Sequence, residues 1–285
     1  MMSNNFLFRF LVTPLIYVCG SIFLSSLDSA HAQANKAFIV FVNGSGDCCA
    51  GAMSQTISRF RSGINADIWV TSYANFKNGS STRKVPIVNL SVNDDQRFIL
   101  EASQVINNIP PSRPVVLIGH SYGGDSILKV LPAIKRRIQF VAVIDPVGTA
   151  GSRKIATSKV VPPNVDYFLN RWQENGLTGQ NIVPFDSRIS GNIRCLATKG
   201  CDQDSQNLVR NQDGSENRIE CGWSEITCPG YVAPNPFRRR PSERKGRKGT
   251  KAQRLEHNPM PQDQYIQHIV VEKAKLALRP FRVLK

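Results

Sequence analysis

Acidic residues are in short supply in this chain: 21 stand against 36 lysines and arginines, leaving a formal charge of +15. Such a balance excludes a cationic partner and points to an anionic one, such as a membrane surface, a glycan or nucleic acid. Histidine is scarcer still, with four in 285 residues, so a reaction that needs an imidazole has few to draw on. No apolar run reaches the ~20 residues of a membrane-spanning helix. The run at 10–24 has fifteen residues and contains Pro14. The cysteines form no C-x2-C pair and have no histidine near them, which argues against a zinc site. No metal and no cofactor are expected.

The apolar run is instead read as the core of an export signal. Arg9 precedes it, and Ala30-His31-Ala32 supplies an A-x-A cleavage site. Residues 1–32 are therefore expected to be removed, with a mature start near Gln33 and a secreted or periplasmic destination. The remaining 253 residues (285 − 32) lose one base, Arg9, and one acid, Asp28, so the charge is unchanged. Six of the seven cysteines survive: Cys48, Cys49, Cys195, Cys201, Cys221 and Cys228. An even count in an exported chain predicts disulfides. The short loops Cys195–Cys201 and Cys221–Cys228 could each close locally, though the sequence does not select among the pairings.

What is present is a strand that ends on a glycine. Pro114-Val115-Val116-Leu117-Ile118 runs into Gly119-His120-Ser121-Tyr122-Gly123-Gly124, and a helical pattern follows. A strand, a tight turn with serine at its apex and a helix form a nucleophile elbow of the G-x-S-x-G type. The glycines keep side chains out of the turn. The helix beyond directs its free N–H groups and positive end toward a developing oxyanion.

Around this point the spacing predicts β-α-β-α-β alternation, hence a parallel sheet with right-handed crossovers. Residues 37–42 are continuously apolar, as in a strand covered on both faces. Helix is expected at 50–61, strand at 66–73, a polar loop at 75–84, and a helix opened by Asp94-Asp95 with Phe98, Ala102, Val105 and Ile106 on its apolar face. The elbow helix is expected over 121–137, with Pro132 as a possible kink. Strands follow at 140–144 and 162–172, and an amphipathic helix closes the chain at 262–278. The rest of the mature chain is expected to belong to the same domain, 33–285. Residues 187–236 read as a disulfide-stapled insertion holding a hairpin turn at Asn211-Gln212-Asp213-Gly214.

The elbow and its flanks resemble the α/β-hydrolase superfamily, in particular its lipases, esterases and thioesterases. The likeness covers 37–147 and the stretch around His257. It implies an α/β-hydrolase fold, with a mostly parallel central sheet and helices on both faces. It also implies a Ser-acid-His triad. Ser121 is the nucleophile by motif. His31 leaves with the signal, and His120 precedes the serine with its side chain expected to point away from the turn. His257 and His268 remain; the resemblance puts the catalytic histidine in the loop before the last helix, where His257 stands, and His268, mid-helix, reads as structural. For the acid, Asp145 ends the strand after the elbow helix, and Asp186 and Glu174 are alternatives further on. The Tyr122 N–H is expected in the oxyanion hole. A second N–H is expected from the loop Asn43-Gly44-Ser45-Gly46, with Ser45 as the candidate.

The expected activity is hydrolysis of a small-molecule or lipid carboxylic ester. An acyltransferase or thioesterase with the same triad, and a non-catalytic binding module on the fold, stay open. One stretch lies outside this scheme: 237–254 carries nine bases (Arg238, Arg239, Arg240, Arg244, Lys245, Arg247, Lys248, Lys251 and Arg254) against Glu243 alone. It lacks an apolar period and is expected to be a mobile loop offering an anionic membrane or other polyanion a docking surface. Aromatics do not interleave with it, so specific nucleic-acid binding is not expected.

Overall fold

The computed structural model describes residues 36–44, 52–73, 92–147, 158–175, 193–221 and 249–285. Among the described residues four helices carry the fold: α1 (Ser54–Gly63), α2 (Val92–Asn107), α3 (Tyr122–Val130) and α4 (Gln264–Leu278). The strands of the main sheet are β1 (Ala37–Asn43), β2 (Ala66–Ser72), β3 (Val115–His120), β4 (Ile138–Ile144), β6 (Val165–Trp172) and β8 (Gly200–Ser205). Their order is β2-β1-β3-β4-β6-β8, and every neighbouring pair is parallel. Two small sheets stand apart, β5 (Val160–Val161) with β7 (Arg194–Cys195), and β9 (Arg218–Cys221) with β10 (Gly249–Ala252).

The unbroken apolar runs are explained by the two faces of this sheet. Successive side chains of a strand point to opposite sides. Ile39 and Phe41 of β1 join Val116, Ile118, Phe140 and Ala142 against Ile57 and Phe60 of α1 and Ile266 and Val270 of α4. Phe38, Val40 and Val42 join Leu117, Val141 and Val143 against Phe98, Ala102 and Ile106 of α2 and Ile127 and Leu128 of α3. A residue such as Phe41 or Ile39, at 0% exposure, is worth about 1.5–3 kcal/mol in burial. With helices on both faces, an open parallel sheet in this order and an elbow after its central strand, the chain has the α/β-hydrolase fold. Among the described residues no helix is long and apolar enough to cross a membrane.

Three expectations need correction. The elbow helix ends at Val130, not Arg137, because Pro132 falls in a 3-10 turn at Leu131–Ala133; proline removes a donor that an α-helix would use. The stretch read as an insertion supplies β8, the edge strand of the main sheet, whose sequence Gly-Cys-Asp-Gln-Asp-Ser is too polar to read as a strand. Its Cys201 bonds Cys195, one of the two local closures expected. The end of the basic stretch is not structureless, since β10 pairs antiparallel with β9, Lys251 opposite Ile219. The turn at 211–214 does form, with Gly214 N–H donating to Asn211 O at 2.9 Å and a bridge between Arg210 and Glu216. The signal segment, Cys48, Cys49, Cys228 and most of 237–254 lie outside the described residues.

Candidate active site

Ser121 stands at the carboxyl end of β3 with φ 56° and ψ −127°. A non-glycine residue there is strained, and strain of this kind persists only where its surroundings enforce it. Here the enforcement is close packing. A Cβ on Gly123 would lie 2.0 Å from the Val42 carbonyl oxygen, and one on Gly119 would lie 2.6 Å from Gly123 O. The start of α3 is thus pressed onto β1 and β3. The β1 exit is equally near, since a Cβ on Gly44 would lie 2.6 Å from Ser121 Cβ. That places the end of β1 beside the serine, while Ser45 lies outside the described residues. Tyr122 heads α3, so its N–H sits at the positive end of the helix.

Asp145 follows β4, the strand beside β3. It too has a positive φ, 42°. The bend is tied on both sides: Asp145 N–H donates to Arg171 O at 2.6 Å, and Val147 N–H donates to Ser121 O at 3.2 Å. His257 arrives from the far end of the chain, just before the turn at Met260–Gln262 that leads into α4. Asp263 caps α4, its carboxylate accepting from Ile266 N–H at 3.0 Å.

These three side chains form one line. His257 Nε2 lies 2.9 Å from Ser121 Oγ, and His257 Nδ1 lies 2.7 Å from Asp145 Oδ2. A carboxylate can only accept, so Nδ1 carries the proton and Nε2 is left to accept from the serine hydroxyl. All three are buried. Such a line can take a proton from the hydroxyl and hold the resulting imidazolium against a carboxylate. Of the alternative acids, Glu174 is exposed beyond β6, its N–H donating to Asn207 Oδ1 at 2.8 Å. Asp186 lies outside the described residues. His268 sits half-buried in α4 with the Gln212 amide 3.4 Å from its Nδ1.

His120 departs from expectation. Its ring does not leave the site: it stacks on His257, centroids 4.8 Å apart and planes 30° apart. Its Nε2 donates to the His257 carbonyl at 3.1 Å. Burial holds its pKa well below the ordinary histidine value, the charge of His257 adds to this, and the bond to the carbonyl opposes it. A neutral ring therefore supports the reactive one. Gln173 was also missed. It donates to Asp145 Oδ2 at 2.8 Å. Its position becomes legible only once Ile144 is known to pair with Arg171, which sets the residues after β6 beside the acid.

No family model and no curated relative matches the chain. Solved structures similar to it include proteins described as α/β-hydrolases and esterases. An extracellular α/β-hydrolase from a Paenibacillus species is 20% identical over 40% of this chain and 42% of its own, with a TM-score of 0.29. Of that protein the chain spans less than half. A cutinase-like protein from Cryptococcus sp. is 14% identical over 85% of this chain and 95% of its own, TM-score 0.36. An acetylxylan esterase is 14% identical over 59% and 82%, TM-score 0.31. The fold assignment rests on the strand order and the elbow rather than on these overlaps.

Proposed function

We propose that the protein is an exported serine hydrolase of carboxylic esters, with Ser121 as nucleophile, His257 as base and Asp145 as the orienting acid. The single observation behind this reading is the continuous hydrogen-bonded line from Ser121 Oγ through His257 to Asp145 Oδ2. Ser121 attacks the ester carbonyl while His257 Nε2 takes its proton. Asp145 holds the imidazole in the tautomer with Nδ1–H and stabilises the imidazolium. The Tyr122 N–H and one near Ser45 receive the oxyanion. His257 returns the proton to the leaving alcohol, and the freed imidazole then activates water to release the acid. Export agrees with the Cys195–Cys201 disulfide, since such bonds persist in oxidising compartments.

The basic stretch belongs to the same reading. Its last base, Arg254, donates to Asn175 Oδ1 and precedes His257 by three residues. The segment would then hold the enzyme to an anionic surface with the site nearby. Replacing Arg238, Arg239 and Arg240 by alanine is expected to weaken binding to anionic vesicles at low salt.

Covalent labelling by a fluorophosphonate, with the Ser121→Ala variant as control, tests the core of the proposal. The wild-type protein should label on Ser121 and hydrolyse p-nitrophenyl esters. The variant should not label, and its kcat should fall by about 10⁴-fold or more. Full esterase activity in the variant would refute the assignment.

A further inference from the structure

Resting on that reading, the network around Asp145 and His257 has a second tier. Asp145 Oδ2, the oxygen that faces His257, also accepts from Gln173 Nε2 at 2.8 Å, and Asp145 Oδ1 faces the Gln173 main-chain N–H at 3.4 Å. One residue thus touches both carboxylate oxygens and fixes their rotation. Gln173 is itself buried and cannot flip its amide, because its Oε1 accepts the Asn175 N–H at 2.5 Å. The Asn175 side chain then spans to the segment that carries the base. Its Nδ2 donates to Asn207 O at 2.6 Å and to Leu255 O at 2.7 Å, two residues before His257. Its Oδ1 accepts from Arg254 Nη2 at 2.9 Å. Leu255 N–H closes the loop on Asn207 O at 3.0 Å.

Donors and acceptors alternate without a gap from the Asp145 carboxylate to the backbone before His257. In a buried setting each bond of such a chain strengthens the next, and an unmade one is costly. We propose that Gln173 and Asn175 are positioning residues of the triad. Gln173 sets the angle of the Asp145 carboxylate, and Asn175 sets the height of the segment that delivers His257. Neither reaches the reacting atoms, so each acts through a different triad member. Gln173 works through Asp145, whereas Asn175 works through the His257 segment.

A double-mutant cycle separates these roles from general support of the fold. Fluorophosphonate labelling rate and p-nitrophenyl acetate hydrolysis are measured for Gln173→Met and Asn175→Ala, each alone and combined with Asp145→Ala. Gln173→Met is expected to lower kcat by about 10-fold with KM nearly unchanged. In the Asp145→Ala background the same change should have no effect, whereas Asn175→Ala should retain its effect there. Gln173→Leu, close in volume and with no proton to donate, serves if the methionine variant does not fold, and the same loss is expected. The proton NMR signal of the His257 Nδ1–H should also shift when Gln173 is changed. If Gln173→Met costs nothing, or costs as much without Asp145 as with it, the positioning role is overturned and the triad stands. If the wild-type protein fails to label on Ser121, the proposed function falls and the positioning role falls with it.

Discussion

At the carboxyl ends of β3 and β4 the backbone is bent out of its ordinary range, at Ser121 and again at Asp145. The amino ends of the same sheet carry no such bend. They are held by charge. Asp67, the second residue of β2, pairs with Lys36 just before β1 at 3.5 Å and with Arg113 before β3. Asp166, the second residue of β6, pairs with Arg137 before β4 and with Lys199 before β8 at 3.3 Å. Parallel pairing brings like ends of neighbouring strands together, so one acid in each cluster can clamp two flanking bases. The two ends of the same strands thus differ in what they store. Backbone strain and the hydrogen bonds of the triad gather where chemistry is proposed, and at the amino ends acids clamp the bases that flank the strands.

That contrast is broken most severely by adding one carbon to the strained end. Alanine at position 123 would set its Cβ 2.0 Å from the Val42 carbonyl, a backbone atom with no freedom to move aside. We expect Gly123→Ala to cost at least about 3 kcal/mol and to abolish labelling of Ser121, read by thermal unfolding and fluorophosphonate reactivity. Normal labelling in a variant of normal stability would mean that the elbow is not under the constraint described.

The matching test at the other end should move stability alone. Asp166 is almost wholly buried while Asp67 is half exposed, with side-chain exposures of 2% and 52%. Asp166→Ala removes a buried acceptor of charge-assisted bonds and is expected to cost about 2–3 kcal/mol. Asp67→Ala removes a half-exposed acid and should cost less, about 1 kcal/mol. Neither should alter the labelling rate. A drop in labelling at constant stability would show that the two ends are coupled through the strands.

How far the sequence revealed these regions follows from the kind of signal each carries. The apolar runs at 37–42 and 140–144 and the glycines around Ser121 are local patterns, and strands stand over them at Ala37–Asn43, Ile138–Ile144 and Val115–His120. Elimination among four histidines left His257 and His268, and the resemblance selected His257. β8 was hidden, since an edge strand of polar residues has no period to read. The Asp67 and Asp166 clamps and Gln173 were hidden for another reason. Each depends on strand register, a long-range property that no window of sequence contains. Adjacency in the chain points the His120 ring away from the serine, whereas strand alternation puts it on the face of Val116 and Ile118, toward α4 and under His257.

His120 also offers the mildest probe of the contrast, one that appears only in acid. Its folded pKa is depressed by burial and by His257, so below the ordinary value of about 6.5 the unfolded chain binds a proton that the folded one refuses. Stability must therefore fall as pH drops through that value. His257 stands directly against it, with Asp145 on the far side of that ring. A proton on His257 deepens the penalty for charging His120. The loss contributed by this group between pH 7.5 and pH 5 is expected to reach up to about 2 kcal/mol. Urea unfolding of the wild-type protein and of His120→Gln at both pH values isolates it, because every other titrating group is common to the two. The variant should lose less stability than the wild type on acidification, even if it starts lower at neutral pH. Parallel losses in the two proteins would mean that His120 takes up its proton while folded, and that the ring beneath His257 is not the neutral support inferred from its burial.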